Sequence, residues 1–379
     1  MKQKLIHIVL NDFINDSRVL KECKVAIDLG LEVHVFALHG KNTKREEIKD
    51  GINIHRISLF SKKFPNNKAM QVIKYIEFYN KVIKKVEKMD NVVLIHSNDL
   101  GPLPIATSLK NRLQNIKIIY DAHEYETEAN GVYGLRKKVT KFLEKRYIYN
   151  CDKVITVSKS IAKEYVRLYS IKEPNVILNA PKLLEFNNEK YNYFREKFNL
   201  GEETIIFLYQ GALINGRGID MIIDVFNNQH SNKHVVFMGK GSRAQEVEKA
   251  AFENSNIHYL EAVSPDKLLN YTMSADVGLC IIEPICKSYE LCLPNKFFEY
   301  NMARIPVIIN NLVEIQPIIK KYNSGFIIKD SIDLEKLINN ITQENIENKK
   351  NNTKYIREQY NWNIEANKMR EIYMQLLEV

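Results

Sequence analysis

The sequence has little of what staples, anchors or metallates a chain. Its five cysteines (Cys23, Cys151, Cys280, Cys286, Cys292) are odd in number, scattered and without a Cys-x-x-Cys pair. Neither a disulfide framework nor a zinc site is favoured, and they read as small core residues. Long apolar runs are missing. After Met1-Lys2-Gln3-Lys4 comes only "LIHIVL", too short for a signal peptide's apolar region and far too short for a membrane span, so a cytoplasmic protein is expected. No Asp-x-Asp occurs, which leaves a carboxylate clamp on a metal unsupported; no cofactor or metal is expected. No helix-turn-helix, zinc finger or aromatic RNA-binding motif accompanies the basic charge, which argues against nucleic acid as a partner.

What is present is an ordinary globular composition, 45% hydrophobic and 27% charged over 379 residues, long enough for two domains. The net charge of +9 is unevenly spread: residues 1–180 carry about +12 and residues 181–379 about −3. Much of the excess lies in "KNTKREEIK", "SKKFPNNK" and "GLRKKVTKFLEKR". On a helix, Arg136, Lys137, Lys141, Lys145 and Arg146 fall on one or two adjacent faces, near Val139, Phe142 and Leu143. The pattern suits either a solvated face or a surface that meets anionic lipid or an anionic acceptor.

The apolar period switches repeatedly between two and about 3.6. "LIHIVL", "EVHVFAL", "INIHRI", "NVVLIHS", "IKIIYDAH" and "KVITVS" read as strands, separated by helical stretches at "DSRVLKECKVAIDLG", about 66–90, 101–113 and the basic helix. Residues 178–193, with Pro181, read as a linker. The rhythm then restarts with "TIIFLYQG", a helix over about 217–229, "HVVFMGKG", helices over 243–254 and 265–274 around "IHYLEA", then "VGLCII" and "GFII". Two doubly wound α/β domains in series follow, each with parallel strands covered on both faces and a ligand crevice outside the strands' carboxyl ends.

Residues 293–309, "LPNKFFEYNMARIPVII", interrupt an apolar run with Asn295, Lys296 and Glu299. Pro294 suits a helix start, Asn295 to about Ala303 continue it, and "PVII" is the next strand. The first turn offers unpaired N–H groups and partial positive charge to an anion. Lys296 there opposes the dipole unless an anion is bound. Asn295 and Glu299 share a face, and a carboxylate one turn inside is better placed for ribose hydroxyls than for phosphate.

These segments resemble a retaining GT-B glycosyltransferase of the GT4 family, over essentially the full length. "LPNKFFEYNMARIPVI" is similar to the family's "PNKxFEYxxxGxPV", whose helix start holds the donor diphosphate and whose Glu holds the ribose. The resemblance gives Glu299 the ribose and places Pro294, Asn295 and Lys296 beside the diphosphate. "YQGALINGRGIDMII" resembles the first donor loop, making Arg217 the cation on the phosphates and Gly211 the close backbone approach. "FMGKGS", with Gly239 and Lys240, resembles the glycine turn after the second donor-domain strand. "YNWNIEANKMREIYMQLLEV" resembles the closing helices that cross back onto the first domain. In "YDAHEYETE" the family places His123 in the catalytic cleft, against the donor sugar.

The chain departs from the family in places. Eight residues before Glu299, where the first carboxylate of an E-x7-E pair is common, stands Leu291, with Glu290 one position off: either Glu290 is displaced into the role by a different loop, or backbone and other side chains hold the sugar. Ala212 replaces an Arg, which leaves more diphosphate charge to Arg217 and Lys296. Arg304 replaces a small residue. On the acceptor side the candidates are Asn11 in "NDFINDSR", Asp99 in "HSND", and Glu124, judged nearer the cleft than Glu126 or Glu128; the loop of Asn11 lacks paired glycines for phosphate.

The resemblance implies a GT-B architecture of two Rossmann-like domains facing a central cleft: residues 1–182 with 362–379 crossing back, and a donor-binding domain over 183–361. It implies a metal-independent retaining transferase, with His123, Arg217 and Lys296 as catalytic groups. A sugar would move from a nucleotide-sugar donor to a glycan or lipid-linked acceptor of a bacterial surface polysaccharide, at an anionic membrane surface on the inner face of the plasma membrane. A sugar-nucleotide epimerase of the same fold, or a non-catalytic nucleotide-sugar-binding partner of another transferase, is the alternative.

Overall fold

Apolar runs of four to eight residues, too short for buried helices and bounded by turn residues, form the strands of two separate sheets. The structure, a computed structural model, describes residues 2–14, 16–65, 67–184, 191–228 and 232–378. Residues 185–190 of the expected linker, and the end of the helix expected over 217–229, lie outside these. Contacts divide the chain into one unit of Met1–Ile177 with Ala366–Val379, and a second of Leu178–Glu365.

In the first unit the strands are β1 (Lys4–Ile8), β2 (Glu32–Leu38), β3 (Glu46–Lys49), β4 (Ile52–Ile57), β5 (Val92–Asn98), β6 (Lys117–Ala122), β7 (Lys153–Thr156) and β8 (Asn175–Val176). They form one sheet in the order β3-β4-β2-β1-β5-β6-β7-β8. All pairs are parallel except β3 with β4. Strand β3 lies inside the basic stretch "KNTKREEIK", where its polar sequence hides it; it is an edge strand, and charged edges resist further pairing. The helices are α1 (Ser17–Asp28), α2 (Lys68–Val86), α3 (Leu103–Arg112), α4 (Gly134–Tyr147) and α5 (Lys159–Tyr169).

The second unit carries β9 (Ile205–Ala212), β10 (Lys233–Lys240), β11 (Ile257–Leu260), β12 (Val277–Cys280), β13 (Val307–Ile309) and β14 (Gly325–Ile327). Its sheet runs β11-β10-β9-β12-β13-β14, every pair parallel. The sequence order of the central strands reverses beside β9, which makes the carboxyl ends of β9 and β12 the switch point where open α/β sheets bind ligands. The helices are α6 (Tyr193–Phe198), α7 (Ile219–Asn227), α8 (Ala244–Glu253), α9 (Leu268–Thr272), α10 (Lys287–Glu290), α11 (Asn295–Met302), α12 (Gln316–Tyr322), α13 (Ser331–Asn340), α14 (Gln343–Lys350), α15 (Thr353–Gln359) and α16 (Trp362–Leu377). Phe207, Tyr209, Phe226, Val235, Phe237, Val277 and Leu279 are fully buried in this unit's core. Helix α16 begins in the second unit and ends in the first, where Met369, Ile372 and Tyr373 are buried.

Candidate active site

In the second unit, β9 and β10 end side by side, with Gly211 opposite Gly239 and Ala212 opposite Lys240. A Cβ on Gly239 would lie 1.9 Å from the Gly211 carbonyl oxygen, and Gly211 has φ +118°, a conformation that L side chains rarely adopt. Two bare backbones therefore meet at the strand ends. Lys296, in the first turn of α11, reaches the same place: its Nζ is 3.9 Å from where a Gly211 Cβ would be.

Lys296 is 9% exposed, and its ammonium has no hydrogen-bond partner among the described residues. It stands 3.8 Å above the Tyr209 ring, an attraction that offsets part of the cost of burying the charge. Burial lowers its pKa to about 8, and the Arg217 charge pushes the same way, against Cys280 and Glu299. Arg217 sits between Gly216 (φ +80°) and Gly218 (φ +71°), with its guanidinium carbon 4.2 Å over the Tyr289 ring and a buried Nε that lacks a partner among the described residues. Glu283 closes this loop by accepting the Gly218 N–H at 3.1 Å.

Glu299 is half-buried, and its Oε2 accepts from Gln210 Nε2 at 2.6 Å. Gln210 is buried; its Oε1 takes the Thr272 hydroxyl at 2.7 Å. The Tyr300 hydroxyl receives the Gln210 N–H at 3.0 Å and lies 2.9 Å from the Leu208 carbonyl, which pins α11 to β9. The Gln210 amide thus fixes the orientation of the carboxylate. Pro294 is the N-cap residue of α11, with extended backbone, and Asn295 and Lys240 are exposed. Glu290 is held by Lys287 at 2.9 Å, and Leu291 is buried. Arg304 has φ +60°, a left-handed turn that explains a glycine at that position in the family pattern.

In the first unit, His123 follows β6 and lies between two carboxylates, with Nδ1 3.4 Å from Asp99 and Nε2 3.3 Å from Asp121. Burial opposes the imidazolium, but Asp99 and Asp121 outweigh it and carry the pKa up to about 9. Asp121 is buried and takes a two-pronged hydrogen bond from Arg18, 2.8 Å from Nε and 2.9 Å from Nη2. Burial alone would raise the Asp121 pKa; Arg18 and His123 hold it well below the usual carboxylate range. Burial and the Asp121 charge push the neighbouring Glu22 well above that range, so Asp121 carries the charge and Glu22 the proton.

Among the described residues His7, Glu22 and His96 bring metal-ligand atoms within 4.8 Å of one another. Arg18 lies 3.1 Å from Glu22 and already supplies the positive charge there. Burial keeps both histidines neutral. A cavity of about 890 Å³ opens in this unit beside Val93 and Lys117, at the amino ends of β5 and β6, the opposite end from His123.

The structure adds detail at three places singled out in the sequence. Glu124 is exposed, and the carboxyl beside Asp99 is that of Glu126, which burial and Asp99 push well above the usual range. Glu128 takes Lys137 at 2.5 Å and Lys141 at 2.7 Å, so two cations of the basic helix are neutralised. Asn11 braces its own loop, accepting the Phe13 N–H and donating to Asp16, both at 2.8 Å. The sequence reading missed Gln210, Tyr209, Tyr289, Arg18 and Asp121. A lone amide before the glycine of "YQG" and an arginine on the apolar stripe of α1 were the available signals.

Residues 18–180 match the family described as Glycosyltransferase Family 4, and residues 222–364 the Glucosyltransferase 3-like C-terminal domain. An uncharacterized glycosyltransferase of Methanocaldococcus jannaschii, MJ1607, is 25% identical over 310 residues, 78% of this chain and 76% of the relative. The Escherichia coli O-antigen biosynthesis glycosyltransferase WbnH is 26% identical over 198 residues, covering 50% of this chain and 53% of WbnH. Among solved structures, a sucrose-phosphate synthase from Thermosynechococcus elongatus superposes over 100% of both chains with TM-score 0.82 at 16% identity. Anabaena Alr3699/HepE does so over 98% of this chain and 99% of its own, with TM-score 0.74 at 12% identity. The two matched families span most of the chain and the fold is that of these enzymes: the protein is a GT-B glycosyltransferase of the GT4 type.

Proposed function

We propose that the chain moves a sugar, with retention at the anomeric carbon and without a metal, from a nucleotide-sugar donor to a glycan or lipid-linked acceptor in bacterial surface polysaccharide synthesis. The observation that carries this is the Lys296 ammonium at the carboxyl end of β9, nine-tenths buried and without a hydrogen-bond partner among the described residues. A buried, unpaired cation is costly unless an anion completes it. With Arg217 and the first turn of α11 it forms a receptor for a diphosphate, and Glu299, oriented by Gln210, takes the ribose hydroxyls. Anabaena HepE has been solved with UDP-glucose, and WbnH is a transferase of O-antigen synthesis; both support this reading.

In the transfer the bond from anomeric carbon to diphosphate oxygen breaks with its electron pair on the diphosphate. Lys296 and Arg217 stabilise the charge that develops there. The acceptor oxygen bonds to the same face of the carbon, and its proton passes to the departing diphosphate oxygen. His123, held as imidazolium by Asp99 and Asp121, is not available as a base.

Incubation with a panel of nucleotide sugars and a lipid-diphosphate sugar acceptor, read by mass, tests this. One donor transferred, undiminished by a chelator, is expected. Epimerisation or hydrolysis without transfer to any acceptor, or loss of activity with chelator, overturns it. Glu299→Gln is expected to weaken nucleoside diphosphate binding by ~1–3 kcal/mol in calorimetry, the size of a lost charge-assisted hydrogen bond.

A further inference from the structure

Helix α4 has its polarity inside out. The residue it buries is Glu144, which is 0% exposed and accepts from the hydroxyls of Tyr120 (2.6 Å), Tyr165 (2.6 Å) and Tyr169 (2.5 Å). Half a turn away it exposes Leu135 (76%), Val139 (48%) and Phe142 (67%). At i, i+4 and i+7 these three fall within about 60° of one another on the helix surface. Tyr133 and Tyr149, just beyond the two ends of the helix, are also exposed, at 78% and 57%.

The charges around this stripe have one sign. Lys138 and Lys145 flank it on one side, Arg136 on the other, and Arg146 lies beyond its carboxyl end; all four are exposed. The only acid of the helix is the buried Glu144, and the cations that Glu128 neutralises, Lys137 and Lys141, are the ones that are not fully exposed.

An apolar face bordered by cations, with aromatic rings at both ends and no exposed acid, complements a surface that is oily inside and anionic outside. We propose that α4 lies in the headgroup layer of an anionic bilayer, with Leu135, Val139 and Phe142 inserted and Arg136, Lys138, Lys145 and Arg146 on the lipid phosphates. A soluble anionic protein would be met by salt bridges without three inserted apolar side chains, and a second copy of the helix would bring like charges together. Membrane docking depends on the proposed function only in making a lipid-linked acceptor the natural substrate.

The test is co-sedimentation of the full chain with vesicles of phosphatidylcholine alone or mixed with about one-third phosphatidylglycerol, with no donor or acceptor present. Binding to the anionic vesicles only, weakening steeply with salt, is expected. Lys138→Gln with Lys145→Gln should lower the partition constant about 30-fold, at about fivefold per cation. Phe142→Ser should lower it about tenfold or more. The same changes at Lys137 and Lys141 should cost less, because Glu128 already occupies those cations. Circular dichroism melting of each variant reports whether α4 is still folded. Failure to bind anionic vesicles, equal binding to neutral ones, or binding that survives the Lys138, Lys145 and Phe142 changes together overturns the proposal. Concentration-dependent dimerisation abolished by Phe142→Ser would assign the face to a second copy instead. None of these outcomes touches the donor site, which the nucleotide-sugar panel tests separately.

Discussion

At Lys296 the proposed function is set against stability. Its ammonium is buried with no hydrogen-bond partner among the described residues, and its folded pKa of about 8 stands below the ordinary 10.5 because burial penalises the charge. A base whose folded pKa is lowered destabilises the fold in full below pH 8, where it is charged in both states, and stability is regained as pH rises from about 8 to 10.5. Lys296→Met keeps the shape and removes the charge. It should stabilise the ligand-free protein at neutral pH by about 1–3 kcal/mol while abolishing transfer. A melting temperature that falls instead would mean that the cation–π contact with Tyr209 outweighs the burial. A bound diphosphate should raise the same pKa, so binding at pH 8 takes up protons and affinity falls as pH rises further. Calorimetry in buffers of different ionisation enthalpy measures that uptake.

His123 has the opposite sign. Its folded pKa of about 9 lies above the ordinary 6.5, so the stability it contributes is complete below pH 6.5 and is lost as pH rises through 9. Its side chain is 23% exposed, and solvent screening reduces the contribution to roughly 2 kcal/mol. Proton NMR of the imidazole should place its midpoint near 9, and Asp99→Asn should lower it by at least one unit. A midpoint near 6.5 in the unaltered protein would remove the imidazolium from the mechanism. Both groups stand in segments that motifs single out in the sequence. Their partners were not: Gln210 meets Glu299 across 89 residues and Arg18 meets Asp121 across 103, and no local pattern encodes such pairs.

At the scale of elements, the alternation of periods revealed the longer strands, because a parallel sheet buried on both faces needs continuous apolar runs. It left α5, eleven residues long, and α13, ten residues long, unread, and it missed β8, two residues long, and α10, four residues long, which are too short to show a period. It also passed over β3, whose polar sequence suits an exposed edge. The ends of β9 and β10 were visible as glycines, but the reason for them is geometric. Gly239→Ala would drive a Cβ to 1.9 Å from the Gly211 carbonyl, and backbone on both sides has no rotamer in which to yield. We expect it to destabilise the second unit by about 3 kcal/mol or more, as overpacking does, and to abolish nucleotide binding even where the protein stays folded. Gly131→Ala is the control for added bulk. Its Cβ meets nothing within 4 Å at φ +81°, so only backbone strain of about 1 kcal/mol remains. Equal effects of the two changes on nucleotide affinity would refute the close-approach account of Gly239.

At the scale of the whole molecule, the chain order and the folded units differ. The first unit is completed by Ala366–Val379, the far end of the sequence, carried there by α16. Met369, Ile372, Tyr373 and Leu376 are buried in it, the Tyr373 hydroxyl lies 3.1 Å from His96 Nδ1, and Lys153 donates to Gln375 at 2.7 Å. Four buried apolar side chains at about 2 kcal/mol each come to about 8 kcal/mol, comparable to the whole stability of an ordinary domain. Helix α16 leaves its first turn in the second unit, where Glu365 accepts the Leu178 N–H at 2.9 Å. Deleting residues 366–379 should therefore unfold the first unit and spare the second. Scanning calorimetry of the truncated chain should show one transition, raised by nucleoside diphosphate because that ligand binds only the folded second unit. His123 should then titrate near 6.5, as in an unfolded chain. A truncated protein that retains the elevated His123 midpoint would show that the first unit folds without its returning helix, and α16 would then be a tether rather than part of the core.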